Sequence, residues 1–308
     1  MPAETEGTEG DDRSSGLAGV PPAPPLEALH STGDGSGRIL ARFPPARGGS
    51  ALRLHELWSY RELLYFLVWR DLKVRYRQAA LGAGWVLLQP LLAVTLFSVV
   101  FGRLAGISSG NVPYPLFFYA AFLPWQLFAY SLAQSGNSLV SNERLITKVY
   151  FPRLLLPAGA IIAGFVDFAI GFLLLLGLML YYGMVPTAAV FALPLFLLLA
   201  VGTALAVGIW LSALNVAYRD VQHALPFLTQ IFFFATPIAY PSTLIPDSWR
   251  IVVGLNPMAG VVEGFRWTLF QEGHFEPLIL VSALVVAVLL LSGIVYFRRV
   301  ETTFADVI

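Results

Sequence analysis

Six long apolar stretches are the feature that most constrains the fold of this 308-residue chain. A membrane helix needs about 20 mainly apolar residues. Six segments meet that requirement: about Trp85 to Leu104, Pro115 to Leu139, Ala158 to Tyr181, Ala188 to Leu211, Ala224 to Tyr240, and Pro277 to Phe297. Charged residues make up 12% of the chain, about half the share in a soluble domain. The sequence therefore predicts an all-α integral membrane protein with six transmembrane helices.

The first 50 residues have a different composition from the rest of the chain. They contain 7 acidic and 4 basic residues, 7 prolines and 9 glycines. Such a segment cannot bury enough apolar surface to offset its conformational entropy. We therefore predict a disordered cytoplasmic tail over residues 1–50 and a transmembrane domain over residues 51–308. The tail lacks a basic region followed by an apolar core, so no cleaved signal peptide is expected.

Basic residues flank the predicted spans unevenly. One side carries ten of them: Arg70, Lys73, Arg75, Arg77, Arg144, Lys148, Arg153, Arg219, Arg298 and Arg299. The other side carries at most Arg103, Arg250 and Arg266. Because Lys and Arg accumulate in cytoplasmic loops, both termini are predicted to be cytoplasmic.

A helix is predicted before the first span, over residues 54–69. Its polar residues share one face, which is typical of a helix lying along the membrane interface. The basic cluster that follows contains Arg70, Lys73, Arg75 and Arg77. This cluster is interpreted either as a topology determinant or as a contact for lipid or substrate headgroups.

The segment between the fifth and sixth spans is too interrupted to cross the membrane twice. Asp247 or Ser248 is predicted to cap a first short helix, and Asn256 with Pro257 forms the N-cap and first position of a second. We predict a re-entrant hairpin over residues 245–270 that enters from the outer face. The outer-gate candidates are Asn256, Pro257, Glu263 and Arg266. Glu263 and Arg266 can pair on one helix face, as a structural ion pair or as a substrate contact.

A basic segment, NERLITKVYFPRLLLP at residues 142–157, separates two apolar runs. Asn142 can cap a short helix over about residues 142–152, which Phe151 and Pro152 would end. Its charged and aromatic residues suit a protein partner. The candidate contacts are Asn142, Glu143, Arg144, Lys148, Tyr150 and Arg153.

Two predicted spans carry stripes that mix hydroxyl groups, amides and aromatic rings. The second span contributes Tyr119, Phe122, Gln126 and Tyr130, and the fifth contributes Thr229, Phe233, Thr236 and Tyr240. Such faces suit a sugar chain, and they equally suit packing between helices. Substrate channel and helix packing therefore both remain open for these residues.

Asp167 is a carboxylate inside the third predicted span, and such groups are candidates for function. Ion coupling in a secondary transporter is one interpretation, and a protonated or helix-bonded carboxylate is the other. Secondary transporters usually contain internal repeats. Residues 85–181 and 188–297 show no convincing repeat.

The sequence offers no basis for catalysis within this chain. Neither of its two lysines, Lys73 and Lys148, lies in a phosphate-binding glycine motif. The four histidines lack metal-ligand spacing, cysteines are absent, and no nucleophile elbow occurs. A membrane-embedded glycosyltransferase would need a carboxylate cluster or a large outer domain. No catalytic residue, metal or cofactor is therefore predicted in this chain.

Four segments together resemble the permease subunit of type-2 ABC exporters. They are RDLKVRYRQAALGAGWVLLQPLL (70–92), NERLITKVYFPRLLLP (142–157), NVAYRDVQHALPFLTQIFFFATPIAYP (215–241) and LNPMAGVVEGFRWTLF (255–270). They occur in the family's order, and the resemblance covers about residues 52–308. The branch that exports polysaccharide, O-antigen and teichoic acid is the most similar. The 50-residue tail departs from the short terminus usual in that family.

The resemblance implies a homodimer in the bacterial inner membrane that exports a lipid-linked glycan. Each subunit would dock on a separate cytoplasmic ATPase, which binds ATP and Mg²⁺, and residues 142–157 match the family's coupling helix. Membrane lipids are expected partners and nucleic acid is not. The alternatives are a type-2 exporter of drugs or lipids and the secondary transporter that uses Asp167.

Overall fold

The computed structural model describes residues 58–77, 84–149, 151–271, 278–301 and 304. Every regular element within these ranges is helical. The helices are α1 (Arg61–Arg77), α2 (Gly84–Phe97), α3 (Tyr114–Ser141), α4 (Glu143–Lys148), α5 (Leu155–Tyr181), α6 (Leu193–Ala217), α7 (Val221–Ala235), α8 (Asp247–Gly254), α9 (Pro257–Phe270) and α10 (Leu278–Val300). A π-helical segment, Ser98–Leu104, continues α2, and 3-10 turns occupy Ala188–Ala192 and Ser242–Leu244. The predictions for the tail, for residues 54–57 and for Tyr150 lie outside the described residues.

Five helices of the described chain are long and apolar enough to cross a membrane. They are Gly84–Leu104, Tyr114–Ser141, Leu155–Tyr181, Ala188–Ala217 and Ile279–Val300. The fifth predicted span corresponds to α7, which is apolar but has 15 residues. A helix of that length covers about 22 Å, which is less than the roughly 30 Å hydrocarbon core. The chain is thus a multi-pass helical membrane protein.

The α3 helix forms the centre of the fold. Most of its residues are buried, whereas few of those in Gly84–Leu104 are. Glycines on its neighbours allow this close packing. A Cβ at Gly171 of α5 would lie 2.6 Å from Leu123, and one at Gly208 of α6 would lie 2.2 Å from Ser135 Oγ. Small residues let membrane helices approach closely, and packing then holds them together.

Pro237 explains why α7 is shorter than predicted. The helix ends at Ala235, and Thr236 is extended with φ −97° and ψ 135°. A proline disfavours the helical conformation of the residue before it. The predicted fifth span runs past Pro237 to Tyr240, and that boundary was wrong because the helix stops before the proline. Thr236 and Tyr240 therefore lie beyond the helix that carries Thr229 and Phe233.

The α1 helix continues past its predicted end at Trp69, so the basic cluster belongs to the helix itself. Leu67 is buried, and Leu64, Leu67 and Val68 lie beside Gly159 of α5. The opposite side of α1 exposes Tyr65, Phe66 and Trp69. One face thus packs on α5 and the other presents aromatic rings.

The two short helices before α10 begin in different ways. Asn256 accepts a hydrogen bond from the Met258 N–H at 3.1 Å, and Pro257 follows it, so this predicted cap is confirmed. The predicted cap of α8 was wrong. Asp247 is already helical, Pro246 occupies the N-cap position, and no side chain caps the helix. A proline at the N-cap position has no side-chain oxygen that could accept the bond.

Candidate functional site

The predicted docking segment contains a helix, α4, directly after α3. Ile146 is buried on the protein side of α4, whereas Arg144 and Lys148 are exposed. The helix covers Glu143–Lys148 and is therefore shorter than the predicted residues 142–152. The exposed face combines both signs of charge, since Glu143 is exposed as well. A short helix anchored by the buried Ile146 and the partly buried Leu145 thus presents charge outward.

Asn142 does not cap α4 with its side chain, so this predicted cap was wrong. Its amide N–H donates to the Ser138 carbonyl at 2.8 Å, and its oxygen accepts from Arg70 Nη1 at 2.8 Å. The side chain is therefore already satisfied by α3 and α1. Asn142 joins three helices at the turn between α3 and α4.

Arg153 was predicted to contact a partner protein, and in the structure the groups to which it donates hydrogen bonds belong to its own chain. Its guanidinium donates to the Glu301 carbonyl, and its backbone N–H donates to Glu301 Oε1 at 3.3 Å. Arg298 donates to the other carboxylate oxygen at 3.3 Å. Arg153 and Glu301 thus fasten the chain after α4 to the end of α10.

Asp167 has partners that the sequence analysis did not identify. Arg75 forms an ion pair with it, and the Tyr76 hydroxyl donates to it. Burial, and then the hydrogen bond to Asp167, raise the pKa of Tyr76, so its hydroxyl remains protonated and donates. The Arg75 guanidinium also lies over the Tyr130 ring, 4.3 Å from its centroid. Arg75 of α1 therefore balances the negative charge of Asp167.

A cavity of about 600 Å³ adjoins this ion pair. Residues from α1, α2, α3 and α5 line it. Phe122, Gln126 and Tyr130 of the predicted second-span stripe lie in its wall. The fourth stripe residue, Tyr119, is fully buried and donates to the Gly171 carbonyl at 2.9 Å. The stripe thus divides into three cavity residues and one packing residue.

The predicted fifth-span stripe lies elsewhere. Phe233 packs edge-on against Phe97, Phe122 and Trp125, with centroids 5.6, 6.3 and 5.7 Å away. The polar members bond to backbone. Thr229 donates to Leu225, Thr236 donates to Phe232, and Tyr240 donates to Phe234.

Arg266 is a buried structural centre of the outer hairpin. Its exposure is 1%, and it pairs with Glu263 at 3.3 Å, as predicted. It also donates to the carbonyls of Phe117, Pro237, Ile238 and Tyr240. Asn256 donates to Thr236 Oγ1 at 2.9 Å. These contacts join α9 to α3 and to the break after α7.

The four headgroup candidates on α1 differ in their contacts. Arg70 bonds to Asp71 and Asn142, and Arg75 bonds to Asp167. Lys73 and Arg77 are exposed. Among the described residues, no group of acidic or histidine side chains could hold a metal ion.

Comparison with known proteins gives a family match over most of the chain. The model of the ABC-2 type transporter family matches residues 62–270. An O-antigen export system permease protein of Myxococcus xanthus, RfbA, is 34% identical over 254 residues, which is 80% of this chain and 96% of the relative. RfbA of Klebsiella pneumoniae is 28% identical over 249 residues, or 80% of this chain and 95% of that protein. The polysialic acid transport protein KpsM of Escherichia coli is 21% identical over 195 residues, or 63% of this chain and 76% of its own length.

The chain therefore belongs to the ABC-2 type transporter family. The resemblance noted from the four segments is confirmed. Sequence reasoning missed Trp85, Gln89 and Trp125 in the cavity wall and Glu301 beside Arg153. Trp85 and Gln89 are four residues apart on α2, so the spacing used for the α3 stripe could have indicated them. Nothing in the sequence pattern pointed to Glu301.

Proposed function

We propose that this chain is the channel-forming permease subunit of an ATP-driven exporter that moves a lipid-linked polysaccharide out of the cytoplasm. The proposal rests on α4, which exposes Arg144 and Lys148 and is anchored to the rest of the protein by the buried Ile146. Membership of the ABC-2 family gives such a helix a partner, a separate ATPase. The named activities of the relatives, O-antigen export and polysialic acid transport, favour a polysaccharide substrate.

The proposed permease is a homodimer in the bacterial inner membrane with both termini in the cytoplasm. The α7 helix and the residues 236–240 that follow it together cross the membrane, as the fifth of six spans in chain order. The α8 and α9 helices form the re-entrant hairpin, and α1 lies along the cytoplasmic interface. The uneven distribution of Lys and Arg supports this orientation.

ATP and Mg²⁺ belong to the partner ATPase in this proposal, and nucleic acid has no part in it. The α4 helix transmits the motion of the ATPase to α3. The transported glycan is an O-antigen, a teichoic acid or a similar polymer. A type-2 exporter of drugs or lipids is the alternative within the family. Ion coupling through Asp167 is disfavoured because Arg75 already neutralises the carboxylate.

Reconstitution tests this function. The full chain and its ATPase are placed in proteoliposomes that contain a lipid-linked glycan, and glycan reaching the opposite leaflet is measured. We expect translocation with ATP and none with an ATPase variant that binds but does not hydrolyse ATP. Translocation driven by a pH gradient without the ATPase would reject the proposal in favour of a secondary transporter.

A further inference from the structure

The cavity beside Asp167 lies within one subunit, between α1, α2, α3 and α5. Its volume of about 600 Å³ falls in the range of small-molecule sites, roughly 300 to 1,000 Å³. Its wall combines amides, aromatic rings and one ion pair. Polar side chains between membrane helices commonly bond across to a neighbouring helix, so amides that make no such bond are available to a ligand.

Two glutamine amides provide the hydrogen-bonding capacity of the cavity. Gln89 of α2 and Gln126 of α3 both line it. Neither amide bonds to another residue of the described chain, although Gln126 is half-buried. A shielded polar group usually has a partner. Each amide can donate and accept, which matches the hydroxyl groups of a sugar.

Aromatic rings form the apolar part of the wall. Trp85 is 50% exposed and Tyr130 is partly exposed, so both present a ring surface. The Trp125 ring packs against the Phe233 ring, with the two ring centroids 5.7 Å apart. A large, rigid ring that also carries a polar atom suits a ligand with apolar and polar faces. The C–H faces of a pyranose ring have this character.

The charge of the cavity selects between ligand classes. Arg75 and Asp167 are the charged residues of the described lining, and they neutralise each other. A diphosphate would have to compete with Asp167 for Arg75 and would lie close to a carboxylate. Burying a charge without its own partner is costly. A neutral ligand avoids that cost.

We propose that this cavity binds a neutral saccharide unit of the exported glycan within a single permease subunit. The inference rests on the proposed function, whose substrate class it locates. Gln89 and Gln126 bond to the hydroxyl groups, and Trp85 packs against a sugar face. The Arg75–Asp167 pair sets the charge of the site and orients Tyr130.

Binding to the purified full chain with its ATPase in nanodiscs tests the site. The probes are a short polyprenyl diphosphate carrying a neutral disaccharide, the same polyprenyl diphosphate without sugar, and inorganic pyrophosphate. We expect Trp85→Ala and Gln126→Ala each to weaken binding of the sugar-bearing probe about tenfold, which corresponds to the loss of one good contact. Binding of the sugar-free probe should change less than twofold. Trp249→Ala, at an exposed tryptophan on α8, is the matched control and should leave both unchanged.

A cysteine at Ala129, a small residue of the cavity wall to which the proposal gives no binding role, provides an independent measurement, because the chain has no native cysteine. The sugar-bearing probe should slow its reaction with a maleimide, whereas the other two probes should not. Leu173→Cys, exposed on α5, should react equally under all conditions. Equal protection by the sugar-free lipid or by pyrophosphate would overturn the saccharide assignment and indicate a headgroup site. Variants folded as wild type that bind the sugar-bearing probe normally would also overturn it.

Wild-type export separates this inference from the proposed function. If the wild-type complex exports glycan with ATP and the cavity variants bind and export normally, only the saccharide site is rejected. If the wild type exports nothing under any condition, the proposed function fails. Even in that case, the binding measurements show which of the three probes the cavity binds.

Discussion

Four arginines of this protein join one helix to another. Arg70 connects α1 to the turn before α4, Arg75 connects α1 to α5, and Arg153 connects the chain after α4 to α10. Arg266 connects α9 to α3 and to the break after α7. Arg266 is the most buried of the four, so its removal would leave buried partners without their charge.

The Arg75–Asp167 pair should show energetic coupling. Asp167→Asn and Arg75→Gln each remove one charge and should lower the thermal unfolding temperature in detergent. The double variant removes both charges, so it should be less destabilised than the sum of the two. Neighbouring ion pairs give coupling free energies of about 0.5 to 3 kcal/mol. Strictly additive effects would show that the two charges do not interact.

Arg266 should be indispensable for stability. Arg266→Met leaves Glu263 and four carbonyl groups without the guanidinium, and we expect a loss of about 3 kcal/mol, in line with broken buried pairs. Arg266→Lys should recover only part of this, because one ammonium cannot reach the same acceptors. Arg103→Met, at an exposed arginine, is the control. Denaturant unfolding measures all three, and an equal stability of the Met variant and the control would refute the role.

At the scale of helices, regular runs of apolar residues predicted the spans well, whereas the places where helices are interrupted were not predicted. The spans at α3, α5, α6 and α10 follow from long apolar runs, and Asn256–Pro257 marked the start of α9 through local chemistry alone. The end of α7 depended on Pro237 acting as a stop rather than a bend. Asn142 had the residue type of a cap, but Arg70, 72 positions away, takes its side-chain oxygen. Local patterns cannot reveal such distant competitors.

The α4 helix should be required for docking the ATPase. Reversing charge in Arg144→Glu with Lys148→Glu should reduce copurification of the ATPase at least tenfold, because both exposed cations face the partner. Membrane insertion should be unchanged, since Ile146 still anchors the helix. Arg219→Glu reverses an exposed charge outside α4 and should copurify normally. Normal recovery of the ATPase with the double variant would remove α4 from the interface.

The α8–α9 hairpin should be reached from outside only. A single cysteine replacing Trp249, which is 59% exposed, should react with an impermeant maleimide added to whole spheroplasts. Arg144→Cys should react only after the membrane is opened. Labelling of the residue 249 variant solely from the cytoplasm would mean that the segment crosses the membrane and that the re-entrant topology is incorrect.

At the scale of the whole molecule, α2 and α7 are the least covered of the long apolar helices in the described chain. The α7 helix rests on the protein through Val221, Leu225, Thr229 and Phe233, while most of its other side chains are exposed. Gln230 lies among those exposed side chains in the middle of the helix. An amide facing lipid at this depth is unfavourable. A second subunit covering this face would explain its polarity.

The proposed homodimer should therefore bring the two α7 helices into reach of each other. A cysteine at Ile231, 48% exposed beside Gln230, should form a crosslink between two copies under mild oxidation. A cysteine at Leu173, 68% exposed on α5, should not. Gel electrophoresis without reductant distinguishes the two. Crosslinking only at residue 173 would place the subunit contact on α5.

The hydrogen bond from Arg70 to Asn142 offers a route by which the lipid bilayer can influence docking of the ATPase. It ties a helix with the exposed rings of Tyr65, Phe66 and Trp69 to the turn that precedes α4. Coupling between two sites is reciprocal in free energy. If docking of the ATPase shifts α1, a lipid surface that pulls on α1 must alter docking by the same amount. The thickness and surface charge of the membrane would then act as an allosteric effector of ATPase docking.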